Sequence, residues 1–162
     1  MGSTFQRKRI RLPDYDYSLP GYYFVTFCTK DHKQLLGRIV SENELEVPEM
    51  ILTRRGEIVR SCIEEISEHY PSVQTIKYVV MPNHVHLILS LASDGSDRPA
   101  LPTIIQQLKR AVSVRSGEAI WQPKYYDHVI RNENELQEIW KYIDTNPIKW
   151  EMDKYYRNET IS

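Results

Sequence analysis

The stretch VQTIKYVVMPNHVHLILSL, residues 73–91, decides the fold of this chain. It contains two runs rich in β-branched and apolar residues, Val73–Met81 and His84–Leu91, separated only by Pro82-Asn83. Two such runs joined by so short a turn are typical of an antiparallel hairpin. The stretch therefore predicts two neighbouring antiparallel strands in the middle of the chain.

The remaining elements follow outward from this hairpin. Residues 21–30 predict a strand after a Pro-Gly turn, residues 38–47 a short hairpin, and residues 50–70 a helix that ends at Pro71. On the other side we expect a loop over 92–102, a helix over 101–116, a strand over 125–131 and a last amphipathic helix over 133–146. The order βαββαβ plus one helix predicts an α+β fold with a ferredoxin-like antiparallel sheet.

Composition favours one soluble domain over the 162 residues, of which 41% are hydrophobic. We expect residues 1–20 to form a basic arm and residues 150–162 a tail. No apolar run reaches the roughly 20 residues of a membrane span, and the first residues have no apolar signal region. Cys28 and Cys62 lack metal-type spacing, so we expect buried free thiols in a cytoplasmic protein.

The net charge of −1 hides an asymmetry along the chain. Residues 41–70 carry −5 and the remainder carries +4. A charge run is usually a solvated face, but a side that binds a polyanion is the alternative. If that side exists, the residues that we predict to contact the polyanion, such as DNA, are Arg7, Lys8, Arg9, Arg11, Lys109, Arg110, Lys124, Arg131, Lys141 and Lys149.

His84 and His86 are two residues apart on a predicted strand, so both side chains point to one face, ~7 Å apart at their base. Two imidazoles that converge in this way can chelate a divalent ion. Without a third ligand the pair is a weak signal, and the alternatives are a chance pair or two partly exposed polar residues on an otherwise apolar strand.

In the last predicted helix, Tyr142 and Asn146 are four residues apart and share one face. A tyrosine at the edge of the core and an asparagine that ends a helix before Pro147 would explain both residues equally well.

Together these motifs resemble the single-tyrosine HUH transposases, and within them the REP-associated tyrosine transposases (the IS200-like family). Residues 81–86, MPNHVH, are similar to the family's HUH motif, residues 142–150, YIDTNPIKW, to its tyrosine helix, and residues 121–132 to the strand segment before that helix. The resemblance covers residues 22–155, nearly the whole chain.

The resemblance implies roles for individual residues. His84, His86 and Asn146 would bind a divalent metal, Mg²⁺ or Mn²⁺, and Tyr142 would be the nucleophile. The implied reaction is cleavage and transfer of single-stranded, hairpin-forming DNA through a 5′-phosphotyrosine. Family members include dimers, so a homodimer is possible.

Three alternatives stay open at this point. A domesticated, catalytically silent protein could bind a DNA hairpin, although it would have no reason to keep all four site residues. A ferredoxin-like metal carrier would use the histidines but leave the Tyr142 helix without a role. A replication initiator or relaxase would share the chemistry but usually has additional domains. Tyr125 and Tyr126 are rival nucleophiles, and we favour a structural role for His128.

Overall fold

The computed structural model of the chain describes residues 21–41, 47–92 and 98–150. Its strands are β1 (Gly21–Cys28), β2 (Gly37–Val40), β3 (Glu49–Leu52), β4 (Val73–Met81), β5 (His84–Leu91) and β6 (Tyr126–Ile130). Its helices are α1 (Arg54–Glu64), α2 (Ile66–His69), α3 (Leu101–Ser116) and α4 (Glu133–Thr145), and a single 3₁₀ turn covers Lys30–His32.

Four of these strands form the central sheet in the order β4-β5-β1-β6, and every neighbouring pair is antiparallel. β1 therefore lies between the last two strands of the βαββαβ string, as a ferredoxin-like sheet requires. The predicted α+β fold with an antiparallel sheet is confirmed, and β4 and β5 have the predicted bounds.

The prediction for residues 50–70 was wrong at its N-terminal end. Residues 50–52 belong to β3, which pairs with β2 in a separate two-stranded sheet. Thr53 then caps α1, because its side chain accepts a hydrogen bond from the Gly56 amide at 3.2 Å. Met50, Ile51 and Leu52 form a short run of apolar residues. Such a run is compatible with the start of an amphipathic helix and with a short strand, so the sequence pattern does not distinguish them. The predicted turn of the 38–47 hairpin falls largely in residues 42–46, outside the described residues.

The sheet separates two apolar clusters because neighbouring residues on a strand point to opposite faces. On one face, Tyr23, Val25 and Phe27 of β1 pack with residues of α1 and α3. On the other face, Phe24 and Ile88 pack with residues of α4. His84 and His86 share the parity of Ile88, so they lie on the α4 face of the sheet.

Both cysteines are buried and free, as predicted. Burial raises the pKa of the Cys62 thiol. Among the described residues, no helix is both long and apolar enough to cross a membrane.

We expect Gly56→Ala to destabilise the fold. A Cβ on Gly56 would lie 2.0 Å from the Leu36 carbonyl oxygen, which also accepts a hydrogen bond from the Thr53 amide. Relief requires movement of backbone, so the free energy of unfolding should fall by about 1–3 kcal/mol in urea denaturation. Ser61→Ala, at an exposed position of α1, is the control and should change it by less than about 0.5 kcal/mol. Equal midpoints for both variants would contradict this close approach.

Candidate active site

The two histidines of β5 face each other in the interior. Both side chains are completely buried, and their Nε2 atoms are 3.1 Å apart. Burial on this scale excludes the interpretation of two partly exposed polar residues. Buried polar groups are normally hydrogen-bonded. The Nδ1 atom of each ring, the outer nitrogen that points away from the contact between the Nε2 atoms, therefore needs a partner, and those partners are part of the site.

Each outer nitrogen, Nδ1, has a side-chain partner among the described residues. His84 Nδ1 lies 2.8 Å from Asn83 Oδ1, and His86 Nδ1 lies 2.7 Å from Thr26 Oγ1. The sequence analysis missed both partners. Asn83 immediately precedes His84, a position that could have indicated it. Thr26 lies opposite His86 in the β1–β5 register, which sequence spacing does not reveal.

Helix α4 carries Tyr142 to the same place. Asn132 caps the start of α4 by accepting from the Glu135 amide at 2.8 Å, and Ile139 and Ile143 are buried against the sheet. The Tyr142 ring centroid lies 5.1 Å from that of His86 and 6.3 Å from that of Phe24. The Tyr142 hydroxyl oxygen is itself buried.

Asn146 follows one turn after Tyr142, at the end of α4. It is 3% exposed, and its Nδ2 donates to the Tyr142 carbonyl oxygen at 3.0 Å. Its Oδ1 atom is buried with no hydrogen-bond partner in the described part of the chain. A buried acceptor of this kind costs free energy unless something binds it.

The donor set fits a divalent cation. Two nitrogens that are each ~2.1 Å from one ion, at about a right angle, are roughly 3 Å apart, which is close to the 3.1 Å between the two Nε2 atoms. The Asn146 oxygen, a buried acceptor one helical turn after Tyr142, is the candidate for a third donor. Within residues 21–41, 47–92 and 98–150, no group of three or more His, Cys, Asp and Glu side chains is placed to hold a metal. In that part of the chain, the two imidazoles and the Asn146 amide are the candidate ligands.

The rival residues lie elsewhere or have structural contacts. Tyr125 belongs to the cluster on the α1 and α3 face, whereas Tyr126 packs on the α4 face. His128 Nε2 lies 2.6 Å from a carboxylate oxygen of Glu135 in α4. This contact agrees with the structural role that we favoured for His128.

The predicted DNA-contacting cations fall into separate groups. Lys141 and Lys149 are exposed at or near α4, and Arg131 is exposed at the end of β6. Lys109, Arg110 and Lys124 lie on the α3 side, where Lys109 and Arg110 line an open cavity of ≈ 440 Å³. Lys109 donates to the Gln122 carbonyl oxygen at 2.7 Å, and burial lowers its pKa. Arg7, Lys8, Arg9 and Arg11 lie outside the described residues.

Helix α1 packs beside α3, and Arg115 of α3 pairs at 2.6 Å with Glu65, the residue that follows α1. Acidic and basic residues therefore meet on that side of the sheet. Lys141 and Lys149 are exposed at or near α4, the helix that packs on the face of the sheet carrying the histidine pair.

No model of a known protein family matches the chain. It is 32% identical to an uncharacterised protein of Haemophilus influenzae over 93% of both chains. It is 29% identical to a REP-associated tyrosine transposase of Escherichia coli over 61% of this chain and 58% of that protein. A solved structure of a REP-associated tyrosine transposase bound to a REP hairpin matches with a TM-score of 0.62, 24% identity and coverage of 88% of this chain and 77% of that one.

The sequence of the chain is similar to that of REP-associated tyrosine transposases, and its fold matches that of one of them. These similarities indicate an enzyme that acts on DNA.

Proposed function

We propose that this protein is a divalent-metal-dependent endonuclease and strand transferase that cleaves single-stranded, hairpin-forming DNA through a 5′-phosphotyrosine at Tyr142. The observation that carries the proposal is the contact between the Tyr142 ring and the buried pair of His84 and His86. Similarity to REP-associated tyrosine transposases supports a transposase role and, more generally, a divalent metal. His84, His86 and Asn146 are the residues that would hold Mg²⁺ or Mn²⁺.

The proposed reaction is a transesterification. The Tyr142 oxygen attacks phosphorus, the bond from phosphorus to the 3′ oxygen breaks, the phenol proton is lost, and the leaving oxygen gains a proton to become a 3′-OH. A bound divalent ion polarises a non-bridging phosphate oxygen. Because the phosphotyrosine conserves the ester bond, a 3′-OH can attack it in turn and join two strands with no other energy source.

The protein's own residues position the nucleophile. Tyr142 is held between Phe24 and His86, and Asn146 donates to its backbone carbonyl, so the ring and the end of α4 are fixed together. A phenol has an ordinary pKa near ~10 and is a poor nucleophile at neutral pH. Lys141 precedes Tyr142, and its positive charge would favour the phenolate. Because the Tyr142 hydroxyl oxygen is buried, substrate reaches it only when the covering side chains move.

The DNA partner is proposed from the relatives. The matched solved structure contains a REP hairpin, and the proposal extends that type of ligand to this chain. In the described residues, α4 covers one face of the sheet and carries the tyrosine. Because a tyrosine nucleophile must reach a phosphate in a flexible strand, we expect the substrate to be single-stranded where it is cleaved. A homodimer remains a prediction, which sedimentation of the free and DNA-bound protein would test.

The test is a covalent adduct. The full chain is incubated with a single-stranded hairpin oligonucleotide and Mg²⁺ or Mn²⁺, and the mixture is run on a denaturing gel. An adduct of protein and DNA that needs the metal supports the proposal. Tight hairpin binding with no adduct under any of these conditions would support the silent DNA-binding alternative instead.

We expect Lys141→Gln to weaken hairpin binding and to make it less sensitive to salt. Each phosphate contact on a single strand contributes ~0.7 to the slope of log affinity against log salt, so the slope should fall by about that amount. Arg60→Gln is the matched control, because Arg60 is exposed on α1 beside Glu57 and lies across the sheet from α4. An unchanged slope for Lys141→Gln, or an equal loss in Arg60→Gln, would remove Lys141 from the DNA interface. Blunt duplex should bind more weakly than the hairpin.

A further inference from the structure

The Asn83 amide has one possible orientation. Its Nδ2 donates to the His32 carbonyl oxygen at 3.1 Å, so Oδ1 is the atom that faces His84 Nδ1. If the amide were reversed, Asn83 Oδ1 would face the His32 carbonyl oxygen, and both atoms are acceptors. Asp31 and His32 both have φ of 55°, a left-handed conformation that is costly for residues other than glycine. This backbone presents the His32 carbonyl to Asn83.

The orientation of Asn83 fixes the tautomer of His84. Because Oδ1 only accepts, His84 Nδ1 must carry the proton and donate it, which leaves a lone pair on His84 Nε2. That lone pair faces His86 Nε2 at 3.1 Å. With both rings neutral and no ion present, the contact is a hydrogen bond only if His86 Nε2 carries the proton.

The Thr26 hydroxyl can form a hydrogen bond with His86 Nδ1 in either tautomer of the His86 ring. When His86 Nε2 is protonated, His86 Nδ1 has a lone pair, and the Thr26 hydroxyl donates to it across 2.7 Å. An ion held by both Nε2 atoms would instead require the His86 proton on Nδ1. A hydroxyl can then rotate and accept, because it is both a donor and an acceptor.

We propose that Asn83 and Thr26 are positioning residues with different tasks: Asn83 locks His84 in the Nδ1–H tautomer, and Thr26 allows His86 to exchange between its two tautomers. Without an ion, the Nε2 atoms of His84 and His86 then form a hydrogen bond with each other. With an ion, both Nε2 atoms have a lone pair and can bind it. The exchange removes a proton at Nε2 and adds one from solvent at Nδ1, so the charge of the rings does not change. The part that concerns the ion rests on the proposed function, whereas the tautomers of the ion-free protein do not.

The first measurement is two-dimensional NMR of the ¹⁵N-labelled full chain without metal, at a pH where imidazole is neutral. We expect the His84 signals of an Nδ1–H ring and the His86 signals of an Nε2–H ring. In Asn83→Ala the His84 signals should become those of a mixture, and in Asn83→Asp, which keeps an acceptor, they should stay at Nδ1–H. An Nε2–H ring for His84 in the unaltered protein would overturn the proposal.

The second measurement adds Zn²⁺ alone, a diamagnetic ion that binds imidazole well. His86 should change to the Nδ1–H form, and calorimetry should show that Thr26→Val binds Zn²⁺ about 10–100-fold more weakly, whereas Thr26→Ser stays near the unaltered protein. Valine has the shape of threonine and suits a strand, so the fold should persist. Thr75→Val in β4 is the control, since its hydroxyl bonds to the Ile63 carbonyl away from the histidines.

The outcomes separate the two proposals. Unchanged Zn²⁺ affinity in Thr26→Val would overturn the role of Thr26. Absence of Zn²⁺ binding by the unaltered protein would overturn both that role and the metal site, while the ion-free tautomers would still decide the role of Asn83. If Thr26→Val unfolds, Thr26→Ala removes the same hydroxyl and is measured in its place.

Discussion

Replacing Tyr142 by phenylalanine is expected to abolish DNA cleavage, with a fall in rate of ~10⁴-fold or more. The substitution removes the one oxygen that attacks phosphorus and keeps the ring that packs against Phe24 and His86. Hairpin binding and the unfolding temperature should therefore change little. Single-turnover cleavage of a labelled hairpin oligonucleotide measures the rate, and a filter-binding assay measures the affinity.

Tyr126→Phe is the matched control. Tyr126 and Tyr142 are both half-buried, and each packs edge-on against Phe24 with centroids 6.3 Å apart. The two substitutions thus remove the same atom from similar surroundings on one face of the sheet. Cleavage should survive in Tyr126→Phe. Equal losses in the two variants would mean that packing around Phe24, and not a nucleophile, controls the activity.

Replacing His84 by glutamine is expected to reduce cleavage at least about a hundredfold and to weaken its dependence on Mn²⁺. Glutamine is preferred to alanine because His84 is completely buried, and deletion of its ring would leave a cavity that destabilises the fold. The amide fills much of that space but replaces the imidazole nitrogen. Cleavage rates measured over a series of Mn²⁺ concentrations, together with thermal unfolding, separate the metal effect from a loss of folded protein.

His128→Gln is the control for His84→Gln. His128 is also an imidazole on a strand of the central sheet, but its Nε2 atom contacts Glu135 and not the other histidines. This variant should keep its Mn²⁺ dependence even if its stability falls. Unaltered metal dependence in His84→Gln would contradict the proposed ligand set.

The sequence predicted the central sheet well because its strands have strong local signals. Pro71 precedes β4, the Pro82-Asn83 turn separates β4 from β5, and β1 begins at the glycine of a Pro-Gly pair in the sequence. β3 was mistaken for the start of a helix because three consecutive apolar residues fit both patterns. Pairing with β2, a contact between distant parts of the chain, decided between the two structures there.

The candidate site was predictable in its motifs but not in its setting. The two-residue spacing predicted that His84 and His86 share one face of a strand, and helical periodicity predicted that Tyr142 and Asn146 share one face of a helix. The contact between Tyr142 and His86 depends on how α4 packs on the sheet. No local sequence pattern specifies that packing. The partnership of Thr26 and His86 depends on strand register in the same way.

The distribution of charge was predicted only in part. A basic side opposite the acidic segment of residues 41–70 was the alternative to a solvated charge run, but α3, with Lys109 and Arg110, packs on the same face of the sheet as α1. Sequence order separates these segments, whereas the crossover of the ferredoxin-like fold brings them together. Lys141 immediately precedes Tyr142 on α4, which makes it the informative position for DNA binding.

The most direct test of the central claim is to locate the covalent link. The full chain is incubated with a hairpin oligonucleotide and Mn²⁺, the adduct is digested with protease and nuclease, and the modified peptide is sequenced by mass spectrometry. We expect a nucleotide linked through its 5′ phosphate to Tyr142. A nucleotide on Tyr125 or Tyr126, or an adduct that persists in Tyr142→Phe, would contradict it.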